Sequence, residues 1–142
     1  MGVAAAANFA WEILQLPLYT IWSTGTLKQQ AFAVIHCTGG DVLIAVAALT
    51  FALICVGNRN WPAQAHAQVL FVALALSLGY TIFSEWLHVV VRSAWAYSPL
   101  MPVVPIINTG LSPLLQWIVI PVVSLTLARN AALKGSNSGT QS

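Results

Sequence analysis

The chain is poor in charge. Of its 142 residues five are Lys or Arg and three are Asp or Glu, 6% in all. Soluble domains carry about 25% charged residues, so a water-soluble globular protein and a disordered chain are both excluded. A net charge of +2 leaves no basic footprint for nucleic acid. Cysteine is equally scarce. Cys37 and Cys55 share one apolar run, which as a helix sets them about 27 Å apart, too far for a disulfide. A basic leader is missing and Glu12 interrupts the first apolar stretch, so no cleaved signal peptide is expected. Ala6 stands where myristoylation wants Ser or Thr. Neither strand-like alternation nor a repeat of fixed period stands out.

What is abundant is apolar sequence: 58% of residues are hydrophobic, and the mean hydropathy is +0.81. Four runs, about 3–23, 31–57, 67–91 and 109–128, reach the roughly 20 residues that span a bilayer. Between them lie a polar turn after Ser23, the Asn58–Pro62 turn, and a loop holding Pro99, Pro102 and Pro105. A spanning segment must be helical, because only a helix pairs its own backbone groups. Short connections make neighbouring helices antiparallel. The expected fold is an all-α integral membrane protein: one domain over 1–129, a four-transmembrane-helix antiparallel bundle, then a disordered Ser/Gly/Asn/Thr-rich tail at 130–142. Both termini then share a side with Arg59, Arg129 and Lys134, against Lys28 and Arg92 opposite. The positive-inside rule places that side in the cytoplasm, and a bacterial inner membrane is the expected location.

The chain's three carboxylates are Glu12, Asp41 and Glu85, and all fall inside predicted spans. An ionisable side chain at membrane depth costs at least ~2.5 kcal/mol, so this placement points to a functional interior or a packed polar cluster. Periodicity sharpens it. Asn8, Glu12, Gln15 and Tyr19 form one stripe on the first helix; Ser77, Thr81, Glu85, His88 and Arg92 form another on the third. Cys37 and Thr38 share a face with Asp41, His36 lies well round that helix, and Gly39-Gly40 permits close approach or a local break. Thr109, Ser112 and Gln116 line one side of the fourth. At 1.5 Å per residue, Glu12, Gln15 and Asp41 lie roughly 12–16 Å from one membrane face and Glu85 and Gln116 roughly 9–11 Å. All four helices therefore bring polar groups into one half of the membrane, as a pocket would.

Several chemistries compete for these residues. Glu85-x-x-His88 is half of a di-iron carboxylate pattern, which needs a second such pair and two further Glu, hence a dimer. His36, Cys37, Asp41 and His88 offer ligands for a single transition metal, and His36 with His88 an axial pair for haem. Against these, His and Cys in apolar helices commonly only pack. Trp22, Trp61 and Trp95 fit an interfacial belt. Trp11, Trp86 and Trp117 lie deeper, beside Glu12, Glu85 and Gln116, and offer π-faces to a cation. Arg92 anchors the third helix or partners Glu85.

Acid–base catalysis needs an acid and a base with separated pKa values, which carboxyls at different depths supply. The stretch Asn8-Phe9-Ala10-Trp11-Glu12 resembles the N-x-x-W-E pattern of the small membrane-bound terpene cyclases. Glu12-Ile13-Leu14-Gln15-Leu16-Pro17 resembles the Glu/Gln-Leu-Pro segment of the emopamil-binding sterol-isomerase superfamily, with looser counterparts at Gly40-Asp41-Val42-Leu43 and Leu114-Leu115-Gln116-Trp117. That superfamily's loop acids have no evident counterpart. The resemblance implies an acid/base isomerase or cyclase of isoprenoid-like substrates, with Glu12 as acid.

The leading expectation is a cofactor-free, metal-free membrane enzyme of isomerase, cyclase or hydratase type acting on a lipophilic small molecule. Glu12, Asp41, Glu85 and His88 carry protons; Asn8, Trp11, Gln15, His36, Trp86, Gln116 and Trp117 bind substrate. Membrane lipid, no nucleic acid, and a homo-oligomer complete the expected partners. The alternatives are a proton-coupled transporter or channel subunit, a small haem- or metal-binding subunit, and an assembly partner whose polar stripes join helices.

Overall fold

The computed structural model describes residues 1–138. It is mostly helical, with three helices long and apolar enough to cross a membrane: Leu27–Val56, His66–Val91 and Leu111–Gly135. The elements in chain order are α1 (Gly2–Gln15), a 3₁₀ turn (Leu16–Leu18), α2 (Ile21–Thr24), α3 (Leu27–Val56) and α4 (His66–Glu85). A π-helical turn (Trp86–Val91), a two-residue-stranded hairpin of β1 (Val103–Val104) and β2 (Thr109–Gly110), and α5 (Leu111–Ser138) complete it.

The boundaries differ from the apolar runs for identifiable reasons. The first run does not continue as one helix to Ser23. Pro17 has no N–H to donate, so α1 gives way to the 3₁₀ turn at Leu16. The second helix starts at Leu27, ahead of the apolar run, because Thr26 and Gln29 form a capping box: the Gln29 amide donates to Thr26 Oγ1 at 3.4 Å and the Thr26 amide to Gln29 Oε1 at 2.8 Å. Gly39-Gly40 causes neither a break nor a close approach, since α3 runs through it and a Cβ at either position would meet nothing within 4 Å. α5 continues past Ala128 through Ser138, across much of the segment expected to be a disordered tail; 139–142 lie outside the described residues.

α1 packs on α3 and α5, and both of these pack on α4. The outside of this cluster is apolar: Leu43, Ile54 and Phe71 are each at least 72% exposed, while Asn8, Glu12, Gln15, Ser77, Thr81, Glu85 and Gln116 are all buried. Polar inside and apolar outside is the distribution hydrocarbon favours, consistent with a membrane protein. At one end the helices close on an apolar core of Ala52, Val69 and Ala73, covered by Leu49, Leu53, Val72 and Trp61. Trp61, expected in an interfacial belt, packs against this core. Both cysteines are free.

The loop after the π turn folds back on the chain that follows α1. The Thr20 amide donates to Ala96 O at 2.9 Å and the Ser98 amide to Leu18 O at 2.9 Å. Tyr19 and Tyr97 form a single antiparallel bridge with their rings 5.6 Å apart. This pairing holds the loop against the polar end of the helices.

Candidate functional site

At that end a cavity of about 820 Å³ opens among α1, α3, α4 and α5. Glu12 and Gln15 from α1, Asp41 from α3, Glu85 from α4 and Gln116 from α5 all line it. The side chains come together because each helix contributes the buried face of its own stripe.

The centre is a hydrogen-bonded cluster around Gln116, which is 2% exposed. Its Nε2 donates to Asp41 Oδ2 at 2.8 Å and to Asn8 Oδ1 at 2.9 Å, with Glu12 Oε1 at 3.3 Å. An amide has two hydrogens, so the third contact is a shared one. Gln15 Nε2 donates to Glu12 Oε1 at 2.7 Å and faces Gln116 Oε1 at 3.3 Å. Gln15 Oε1 in turn accepts from Ser112 Oγ at 2.8 Å, whose oxygen accepts from Trp11 Nε1 at 3.2 Å. The Glu12 and Asp41 carboxyls, from α1 and α3, thus meet at one nitrogen, Gln116 Nε2.

Glu85 stands apart from this pair, and its partner comes from the loop. Tyr97 donates its phenol hydrogen to Glu85 Oε2, and the Gly110 amide donates to the Tyr97 oxygen at 2.9 Å. Burial, and then the facing Glu85 carboxyl, raise the Tyr97 phenol above its ordinary range, so it stays a donor at neutral pH. Gly110 leaves room here for the Met101 and Tyr97 side chains. A Cβ would lie 2.9 Å from Met101 Sδ and 3.2 Å from the Tyr97 ring. Arg92 is exposed, so Glu85 is met by a phenol where a guanidinium had been an option.

His88 lies on the π turn, half-buried, at the cavity wall. Its Nδ1 is 2.8 Å from Ser84 O. A carbonyl only accepts, so Nδ1 carries the hydrogen and Nε2 is left as the basic nitrogen. The ring stacks on Trp95 at 4.4 Å, and Trp95, expected in an interfacial belt, also lines the cavity. His36 is exposed at the rim and stacks on Phe32 at 5.5 Å. Among the described residues no three His, Cys, Asp or Glu side chains are grouped to hold a metal ion.

The expected substrate-binding residues divide. Gln15, His36, Gln116 and Trp117 line the large cavity. Asn8 lies behind Gln116 and faces a second cavity of about 330 Å³, which Trp117 also borders. Trp11 sits behind the cluster between α1 and α5, bonded to Ser112. Trp86 points outward, 47% exposed, near Phe83. Adjacent residues on a helix lie about 100° apart, so the neighbour of an inward carboxylate tends to face elsewhere. Trp117 is the exception because α5 is covered on two sides, by α1 and α4. Ser112 had been seen on the fourth helix's polar side, but its bond to Gln15 had no local signal. Tyr97 and Gly110 had none either, since their contacts depend on how a proline-rich loop closes.

No family model, curated protein or solved structure matches the chain.

Proposed function

We propose that this protein is a four-helix integral membrane enzyme, with antiparallel spans and cytoplasmic termini, that isomerises, cyclises or hydrates a lipophilic, isoprenoid-like molecule by proton transfer. The observation that carries the reading is that carboxyls from three helices, Glu12, Asp41 and Glu85, line one otherwise largely apolar cavity. A merely structural cluster has no need of a cavity that size at its edge. Roughly 300–1,000 Å³ is the usual range for small-molecule sites. The short α1 and α2 with the 3₁₀ turn between them act together as the first span.

In this reading Glu12 or Asp41 delivers the proton to an alkene or epoxide. Gln116 and Gln15 hold the two carboxyls in register and compensate the charge left behind. His88, with Nε2 free to accept, or Glu85 takes a proton from the cationic intermediate on the opposite wall. The faces of Trp95 and Trp117 stabilise that cation. Separate acid and base on facing walls is the arrangement acid–base catalysis requires. The likeness of the α1 segment to terpene cyclases and sterol isomerases points the same way.

The test uses protein purified in mild detergent. Co-extracted lipophilic molecules are identified by mass spectrometry, with a visible spectrum and metal analysis of the same sample. The extracted molecules and a panel of prenyl alkenes and epoxides are then incubated with the protein in D₂O. Deuterium incorporation at carbon that depends on Asp41 is the expected result. Absence of exchange into every bound molecule overturns the reading, and a Soret band moves the site to His36 and His88.

A proton-coupled transporter is the second reading, favoured by one observation. Gln116 joins the acids at the large cavity to Asn8 at the small one, so a polar link runs between two cavities. Proton flux into liposomes that fails in Asn8→Leu, with no exchange chemistry, selects it.

A further inference from the structure

The seam between α3 and α4 is closed at one end and open at the other. On α3, Phe32, His36, Gly40, Ile44, Ala48 and Ala52 recur every fourth residue and form one ridge. Ala52 is fully buried in the apolar core with Val69 and Ala73 of α4, and Ala48 is buried as well. Ile44 and Gly40 are half-buried, His36 is exposed, and Phe32 is 67% exposed. On α4 the ridge through Val72, Leu76 and Tyr80 repeats the trend. Val72 packs on the core, Leu76 is 38% exposed and Tyr80 50%. Helices that touch through such ridges cross at about 50°, so they diverge away from their contact.

Phe32, His36 and Tyr80 are exposed and yet line the large cavity. A residue that does both marks an edge of the cavity's mouth, so the cavity opens between α3 and α4. Both edges lie in segments apolar enough to cross a membrane, and in a bilayer this side opening faces hydrocarbon. The outer end of the same cavity is lined by Thr24, Lys28 and Gln29, all polar and exposed. Lys28 and Gly40 are about 18 Å apart along the helix axis, and Asp41, bonded to Gln116, follows Gly40. The slot is therefore polar outside, open to lipid along its side, and carboxyl-lined within. We propose that it takes a single-chain amphiphile from the surrounding leaflet, sideways through the α3–α4 seam, with the polar head at Thr24, Lys28 and Gln29 and the chain reaching the carboxyls. Burying a polar head in hydrocarbon is costly; on this path the head stays at the membrane surface while only the chain moves. The inference rests on the reading of the cavity as a small-molecule site, and narrows its ligand from any lipophile to a chain with one polar end.

The test uses the full chain in nanodiscs and two photoactivatable farnesols, one with a diazirine beside the hydroxyl and one with it at the far end of the chain. Labelled residues are mapped by mass spectrometry, and only label that excess farnesol removes is counted. The first probe is expected to label 24–29, and the second Gly40, Ile44 or Tyr80. Gly40→Phe, at a position where a Cβ meets nothing within 4 Å, should fill the slot and weaken labelling by the second probe about 10-fold. Gly39→Phe puts the same ring at the adjacent, exposed position of the same helix and should leave both probes unaffected. Label in the reverse order overturns the head-out placement, and undiminished label in Gly40→Phe overturns the seam; either result leaves the cavity a binding site. A dimer in native mass spectrometry of the nanodiscs, with Phe32 and Tyr80 free of label, makes the seam a subunit interface and overturns the proposal. No competable label in wild type overturns the cavity reading and the seam with it.

Discussion

One face of α4 passes through both halves of the molecule and shows how they differ. Val69, Ala73, Ser77, Thr81 and Glu85 recur every fourth residue, and all five are buried. The first two belong to the apolar core with Ala52; the last two line the cavity with the carboxyls. Helical geometry is the same along the face, and only the side chains change. At the apolar end small residues let α3 and α4 close on each other without polar atoms to satisfy. At the polar end the helices meet through amides and carboxyls, and they leave the larger of the two cavities open. If the polar end carries the proposed chemistry, substitutions in the two ends should separate stability from turnover.

The sharpest break is expected at the carboxyl pair. Asp41→Asn and Glu12→Gln keep the side-chain volume and an acceptor for Gln116, but remove the carboxylic acid. D₂O exchange should fall about 10²- to 10⁴-fold, the usual worth of a positioned acid or base, with little change in melting temperature in detergent. A large loss of stability with no activity in wild type would instead make the pair interhelical glue. The converse break is Ala52→Leu in the fully buried core. Overpacking should cost about 1–3 kcal/mol, read as a lower melting temperature with exchange per folded molecule unchanged.

Two smaller effects sharpen the comparison. Tyr97→Phe removes the donor to Glu85 without changing packing, and a loss of about 1 kcal/mol is expected. Gly110→Ala should mimic it by pushing the Tyr97 ring away; a Gly110→Ala variant with normal exchange but a Tyr97→Phe variant without it would show that the ring need not be so close. Smallest of all is Gly39→Ala, at an exposed helical position with nothing near its Cβ. It should stabilise α3 by about 0.5–1 kcal/mol, visible as a slightly higher melting temperature and unaltered exchange.

Much of the polar cluster could be read before any fold was known. Asn8, Glu12 and Gln15, Ser77, Thr81 and Glu85, and Gln116 stand out because a polar residue in an apolar run is expensive. Their helical spacing then states which face turns inward. Two boundary signals were also present and local: Pro17 ends α1, and Thr26-x-x-Gln29 starts α3. The tryptophans were harder. Trp86 adjoins a carboxylate in sequence yet faces outward, while Trp95, beyond a π turn that departs from the α-helical period, folds back onto His88. Aromatic rings are tolerated both inside and at the lipid boundary, so composition cannot say which side each takes.

Sequence alone determined that the chain is apolar and helical, and which stripe of each helix carries polar groups. Both follow from the cost of exposing backbone and charge to hydrocarbon, a penalty that acts residue by residue. Tertiary structure alone decided that Gln116 bridges Asp41, Glu12 and Asn8, and that Tyr97 supports Glu85. Those depend on angles and depths at which separate helices meet, and on the closure of one loop. Such quantities are set by the packing of the whole chain, and no local spacing encodes them.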